Sequence, residues 1–215
     1  MTKLVQFGKM LIGENMNKTK VVIFDFDHTM YRDVVYEDWH NYCKTGLRNL
    51  LGFLPKQELE EVIKKQELFE DLNIIETIKK YNLKHTDWLE YRNNNLRKFD
   101  TTNATKIDND VLKQFAEKYK LYIVTHNQKI DVLRVAKALD IDLSCIQDIV
   151  SNSFEEGLFS KKYLYQDIIK KENVKPQEVY VIGDDYKHDI LPALEIGARG
   201  KQVFDCKFTL KDFDL

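Results

Sequence analysis

A short apolar run that stops abruptly at polar or acidic residues occurs three times in this sequence, and that recurrence limits the fold more than any other feature. Residues 21–24 read VVIF and end at Asp25-Phe26-Asp27. Residues 121–124 read LYIV and end at Thr125-His126-Asn127, and residues 179–182 read VYVI and end at Gly183-Asp184-Asp185. Runs without polar alternation are what strands buried on both faces look like, and such strands belong to parallel sheets covered by helices. The stretches 107–119, 129–140, 162–173 and 188–196 carry apolar residues at threes and fours, the spacing of one helix face. Strand and helix therefore alternate, which predicts an α/β fold: a parallel sheet core with helices on both faces. Ligands in such folds sit beyond the carboxyl ends of the strands, where the strand order reverses. The three polar run ends are expected to meet there.

Residues 34–103 break the alternation. They are long, charged and without an apolar strand run, and ELEEVIKKQELFEDLNIIETIKKY (58–81) carries Leu and Ile at helical spacing. Gly46, Gly52, Pro55 and Asn82 are the expected breaks, dividing the segment into roughly four helices. Two arrangements fit: a smaller all-helical cap domain (34–103) inserted into a core made of residues 1–33 and 104–215, or helices packed on the sheet as part of one domain. The first is the expectation taken forward.

Composition excludes several classes. Of the 215 residues, 43% are hydrophobic and 32% charged, with only three prolines and eight glycines, so the chain reads as globular and large enough to bury a core without staples. A net charge of −2 lacks the basic excess that nucleic-acid backbone binding calls for. Cys43, Cys145 and Cys206 are odd in number and form no CxxC pair, which fits reduced thiols in the cytoplasm. The first nineteen residues lack the continuous apolar stretch of a signal peptide, and no window approaches the roughly 18 apolar residues of a membrane span. The segment before Lys18 is compatible with a mobile tail or with packing on the core, and nothing in the sequence fixes an oligomeric state.

The chemistry concentrates at the run ends. Asp25 and Asp27 leave a strand end one residue apart, where close carboxylates repel each other. A divalent cation relieves that repulsion, and oxygen ligands suit Mg²⁺. One carboxylate can attack phosphorus while a second protonates the leaving alcohol and later activates water. The bland alternative is a pair of solvated loop acids. Thr125, His126 and Asn127 close the second run where a helix opens, a setting that attracts phosphate, although Thr125 or Asn127 can equally be a simple helix cap. Asp184 is placed to bind a metal facing Asp25. Asp189, one turn on, is placed to orient water or a lysine, and Asp185 reads chiefly as a helix cap. Lys161 and Lys162 follow the Gly157-Leu158-Phe159 turn, where an ammonium can neutralise a nucleophile and its phosphate, though adjacent lysines are usually surface charge. His126 and His188 have exposed-looking settings and no zinc-ligand spacing.

Taken together these residues resemble the haloacid dehalogenase superfamily. DFDHT resembles its first motif, DxDxT; IVTHN looks like the second; Lys161, four residues before Tyr165, fits the third; and VIGDDYKHDI is similar to the fourth, GDxxxxD. The likeness spans about residues 20 to 205. It implies a Rossmann-like core with a helical cap inserted after the first motif. It also implies Asp25 as nucleophile, Asp27 as acid and base, Thr29 supporting the loop, and Thr125 and Lys161 on the phosphate. Mg²⁺ would be held by Asp25, the Asp27 backbone carbonyl and Asp184, with Asp189 behind them. The sequence departs from the family pattern at His28, where glycine or asparagine is frequent, at Thr125, where serine is commoner, and in having no proline after the lysine; that last departure keeps Lys162 open as the motif residue. The reaction implied is Mg²⁺-dependent hydrolysis of a small phosphorylated metabolite through an aspartyl-phosphate. The alternatives are phosphomutase action on a sugar phosphate or a non-catalytic binding module. Trp39, Tyr42 and Arg92 are candidate cap residues for substrate, with amphipathic packing as their plainer role.

Overall fold

The computed structural model describes residues 19–67, 74–151 and 160–215. The segment before Lys18, part of the 58–81 stretch and the Gly157-Leu158-Phe159 turn lie outside the described residues. Strand β1 (Val21–Phe24) leads into two short strands, β2 (Tyr31–Arg32) and β3 (Val35–Tyr36). Helices α1 (Trp39–Leu50), α2 (Lys56–Glu67), α3 (Ile74–Lys80) and α4 (His85–Asn94) follow, and the chain returns through β4 (Phe99–Asp100) and β5 (Thr105–Lys106). It then alternates as α5 (Asn109–Ala116), β6 (Lys120–Thr125), α6 (Lys129–Ala138), β7 (Ile146–Ser151), α7 (Lys162–Glu172) and β8 (Val179–Gly183). A wide π-type turn (Tyr186–Ile190), α8 (Leu191–Glu195) and β9 (Arg199–Gln202) complete the core.

Among the described residues β1, β6, β7, β8 and β9 form one parallel sheet in the order β7-β6-β1-β8-β9. The chain moves outward from β1 to β6 and β7, then crosses back to place β8 on the other side of β1. The order therefore reverses between β1 and β8, where a doubly wound sheet opens its crevice. All four residues of β1 are fully buried. Val22 and Phe24 face a core shared with α5, α6 and the C-terminal Phe208 and Phe213, while Val21 and Ile23 face a second core with α7 and α8. Burial of each such side chain contributes about 1.5–3 kcal/mol, which is why an apolar run of four reads so clearly as a central strand. The register sets Phe24 beside Ile123 and Ile182. Asp25, Thr125 and Asp184 consequently emerge side by side at one end of the sheet.

The sequence expectation misses two strands. β7 (IQDIVS) and β9 (RGKQ) are the sheet edges, partly exposed and polar, so neither shows an apolar run. The expectation of a strand-free 34–103 segment also needs correction, because β3 and β4 pair antiparallel within it, next to the β2–β5 pair. These two ribbons carry the chain out of the core and back. Between them the four helices close on a core of their own, in which Tyr42, Leu47, Leu51, Ile63, Ile78, Trp88 and Tyr91 take part. Gly46 is not a break but lies inside α1, beneath Trp88 and Tyr91. A Cβ there would meet Tyr91 Cε1 at 2.7 Å, so the glycine is required by close packing.

Candidate active site

The loop after β1 is a tight turn that aims its two acids differently. Met30 N–H donates to the Phe26 carbonyl at 3.0 Å, and His28 occupies the left-handed region at φ 57. That conformation accounts for the departure seen at this position: glycine and asparagine adopt it readily, and histidine is among the side chains that tolerate it. Thr29 is fully buried, and its hydroxyl donates to Asp25 Oδ2 at 3.2 Å.

Asp25 and Lys161 form the centre of the site. Lys161 Nζ lies 2.5 Å from Asp25 Oδ1 and 2.7 Å from Asp189 Oδ1, and all three side chains are buried. This separates the adjacent lysines: Lys161, at the N-cap position of α7, turns inward, whereas Lys162 pairs with Glu195 at the surface. Burial, then the charges of Asp189 and Asp27, pushes the Asp25 carboxyl up to about 8 although Lys161 pulls it down. Burial alone would lower Lys161, but Asp25, Tyr165 and Asp189 outweigh it and hold the ammonium above its ordinary value. One buried cation thus serves several acids and does not balance them. Burial and Asp189 likewise raise the Asp184 carboxyl.

Asp25, Asp184 and Asp189 each offer a carboxylate oxygen, and these oxygens lie within 4.8 Å of one another. An all-oxygen donor set with surplus negative charge fits a hard cation such as Mg²⁺ rather than zinc. Gln202 Nε2 holds the Asp184 carbonyl at 2.7 Å, and Tyr165 donates to the Asp189 carbonyl at 3.3 Å. Gly183 gives the loop room, since a Cβ there would stand 2.5 Å from that of Asp189. Asp185 caps the π-type turn, accepting from the N–H groups of Lys187 and His188 at 2.8 and 3.0 Å.

The Asp27 side chain is held by a different set of partners. Asn127 Nδ2 donates to its Oδ2 at 2.7 Å and the Thr125 hydroxyl to the same oxygen at 3.3 Å, while the Tyr31 hydroxyl donates to Oδ1. Thr125 Oγ1 also accepts from Asn127 N–H at 3.1 Å, and Ser151 donates to the Asn127 carbonyl. Neither Thr125 nor Asn127 caps α6; Gln128 occupies that position without a side-chain bond to the helix's own N–H groups. His126 is half-buried, not exposed as its sequence setting suggested. Burial, with Lys161 nearby, pushes its imidazole down to about 4, so it is neutral at pH 7.

Asp25, Asp27, Thr29, Thr125, His126, Asn127, Lys161, Asp184 and Asp189 therefore lie at or beside the shared strand ends, Asp185 shapes the loop behind them, and Lys162 stays at the surface. Tyr31, Ser151 and Gln202 join the site without a motif to mark them, although Tyr31 stands four residues beyond Asp27. Trp39, Tyr42 and Arg92 pack together: the Arg92 guanidinium lies 5.4 Å from the Trp39 ring centroid, and Tyr42 donates to the Asn95 carbonyl at 2.8 Å.

The sequence profile of the haloacid dehalogenase-like hydrolases matches residues 19–197, most of the chain and all of the acids and the lysine of this site. The chain belongs to that family. Solved structures with the same fold include a haloacid dehalogenase-like hydrolase from Bacteroides fragilis, at 17% identity and a TM-score of 0.53, with 91% of this chain and 92% of that one covered. Another, from Clostridium difficile and named as a phosphatase, shows 20% identity and a TM-score of 0.50 over 90% of this chain and 89% of that one. No curated protein gives a significant match. As a haloacid dehalogenase-like hydrolase, the chain has the parallel core expected from its strand runs, in the Rossmann-like form its family resemblance implies. Among the described residues, no helix is long and apolar enough to cross a membrane.

Proposed function

We propose that this hydrolase is a Mg²⁺-dependent phosphatase that cleaves a small phosphomonoester through an aspartyl-phosphate on Asp25. The observation that carries the reading is the division of labour between the two acids of the first loop. Asp25 sits against Lys161 and the acidic cluster, whereas Asp27 is held apart by donors on both of its oxygens. A carboxylate beside a cation site and an ammonium is set to attack phosphorus, and a separately held carboxyl is set to exchange protons.

Asp25 and Asp184, with the Asp27 backbone carbonyl, would hold Mg²⁺, which when bound supplies positive charge to the phosphoryl oxygens. Asp25 attacks phosphorus as Asp27 gives its proton to the departing alcohol oxygen. Asp27 then takes a proton from the water that hydrolyses the acyl phosphate. Lys161 and Thr125 stabilise the phosphoryl charge during both steps, and Asn127 and His126 line the same pocket. Asp189 keeps Lys161 in place, and Thr29 keeps Asp25 in place.

The four-helix unit serves as the cap over this site. Support comes from its separate core, from the two ribbons that tether it, and from the contacts of α4 and the loop after it with α6 and its N-cap residue. Gln128 Nε2 donates to Asn93 Oδ1 at 3.3 Å, and Arg134 Nη1 donates to the Arg97 carbonyl at 3.0 Å. A roofed site suits a small metabolite, and the free thiols of Cys43, Cys145 and Cys206 fit a cytoplasmic setting. The test is phosphate release from a panel of small phosphomonoesters with and without Mg²⁺. Release that needs the metal and disappears in Asp25→Asn supports the reading; accumulation of a phosphorylated isomer in place of phosphate would make the enzyme a mutase.

A further inference from the structure

Tyr31 is buried to 1% exposure, its ring set edge-on to Phe26 at 4.9 Å, and its hydroxyl donates to Asp27 Oδ1. The Tyr36 hydroxyl lies 2.7 Å from the Tyr31 oxygen. Because Tyr31 spends its only proton on Asp27, Tyr36 must be the donor of that second bond. The chain of hydroxyls therefore runs in one direction, from Tyr36 through Tyr31 to Asp27. Its far end is fixed as well: Tyr36 belongs to β3, the Arg97 guanidinium lies 4.5 Å from its ring centroid, and Phe99 packs at 6.0 Å. Burial, then the negative charge of Asp27, keeps both phenols protonated.

From this arrangement we infer that Tyr31 is a positioning residue for the proton-transferring acid, and that Tyr36 holds Tyr31 in register from the ribbon leading into the helical unit. With the Tyr31 hydroxyl on Oδ1 and Thr125 and Asn127 on Oδ2, the carboxyl plane is fixed from both sides. As the phosphorus–oxygen bond of the ester breaks, the Asp27 proton passes to the alcohol oxygen, and the Tyr31 bond to Oδ1 steadies the carboxylate that results. No feature of the first motif requires a tyrosine here; the role follows from a hydroxyl that meets a carboxylate inside the core.

This inference rests on the phosphatase reading, and leaving-group dependence tests the two separately. Tyr31→Phe and Tyr36→Phe are compared with wild type in Mg²⁺, using p-nitrophenyl phosphate, whose leaving group needs little protonation, and glycerol 2-phosphate, whose alkoxide needs a proton. Tyr31→Phe is expected to lower kcat/KM on the alkyl ester by on the order of 10-fold, with the loss in kcat, and on the aryl ester by less than about 3-fold. Tyr36→Phe should change the ratio in the same direction by less. Equal losses on both esters, or no loss on either, would overturn the positioning role while leaving the phosphatase reading intact. A wild type inactive on both esters would remove both. If circular dichroism shows Tyr31→Phe unfolded, Tyr36→Phe decides by the same ratio.

Discussion

Replacing Lys161 with methionine keeps most of the side-chain volume and removes an ammonium that lies 2.5 Å from Asp25 and 2.7 Å from Asp189. All three side chains are at most 7% exposed, so solvent cannot take over the pairing. Breaking a buried ion pair from one side costs about 3–5 kcal/mol. At about 2–4 °C per kcal/mol for a chain of this size, the melting temperature should fall by on the order of 10 °C. The sign of the pH dependence follows from Asp25. Its folded value of about 8 stands above the unfolded 3.8, so its contribution is complete below the unfolded value and is lost as pH rises toward 8. Without Lys161 the carboxyl climbs further and the loss continues at higher pH. Lys161 itself is raised from 10.5, so in wild type it contributes fully throughout this range. The deficit of the variant, read by differential scanning calorimetry, should therefore be larger at about pH 9 than at about pH 6. Lys162→Met is the control, since its 3.2 Å pair with Glu195 is partly exposed and such pairs contribute within about 1 kcal/mol. A Lys161→Met deficit below about 2 °C at both pH values, or one smaller at the higher pH, would refute the buried pairing.

Four further outcomes are expected. Mg²⁺ at about 100 times its dissociation constant should stabilise the protein by about 2.7 kcal/mol, roughly 5–10 °C, and Asp184→Asn should abolish that shift; equal shifts in both proteins would place the metal elsewhere. Gly183→Ala should displace Asp189 and lower kcat well beyond any change in KM, which steady-state kinetics on a phosphomonoester will show. Gly46→Val should press on Trp88 and Tyr91 and destabilise by about 1–3 kcal/mol in urea unfolding; an unchanged midpoint would mean that the helical core is looser than described. His126 has a folded value of about 4 against 6.5 unfolded, so its contribution is complete above 6.5 and fades as pH falls toward 4. His126→Gln should remove that part of the slope from the stability profile, and an identical slope would contradict the burial described.

The sheet centre and the acids were legible for the same reason. β1, β6 and β8 are covered on both faces, so every residue of the run is apolar and its end is conspicuous when an acid appears. β7 and β9 sit at the edges, half in water, where Gln147, Asp148 and Lys201 carry no cost and no strand signal. Gly46 reads as a helix break because its packing partners, Trp88 and Tyr91, lie more than forty residues away in sequence. Lys161 and Lys162 are indistinguishable as letters. The start of α7 separates them, sending one into the crevice and the other toward Glu195. Tyr31 escaped notice because a buried aromatic is ordinarily core, and only the fold shows its hydroxyl meeting Asp27.

The most direct test of Asp25 as nucleophile is rapid acid quench of the enzyme turning over a phosphomonoester in Mg²⁺, followed by mass spectrometry of the peptide that contains residues 21–32. One added phosphoryl group on Asp25, absent from Asp25→Asn and accumulating in Asp27→Asn, is the expected result. Steady turnover with no phosphorylated peptide in any of the three proteins would contradict it and point to direct attack by water.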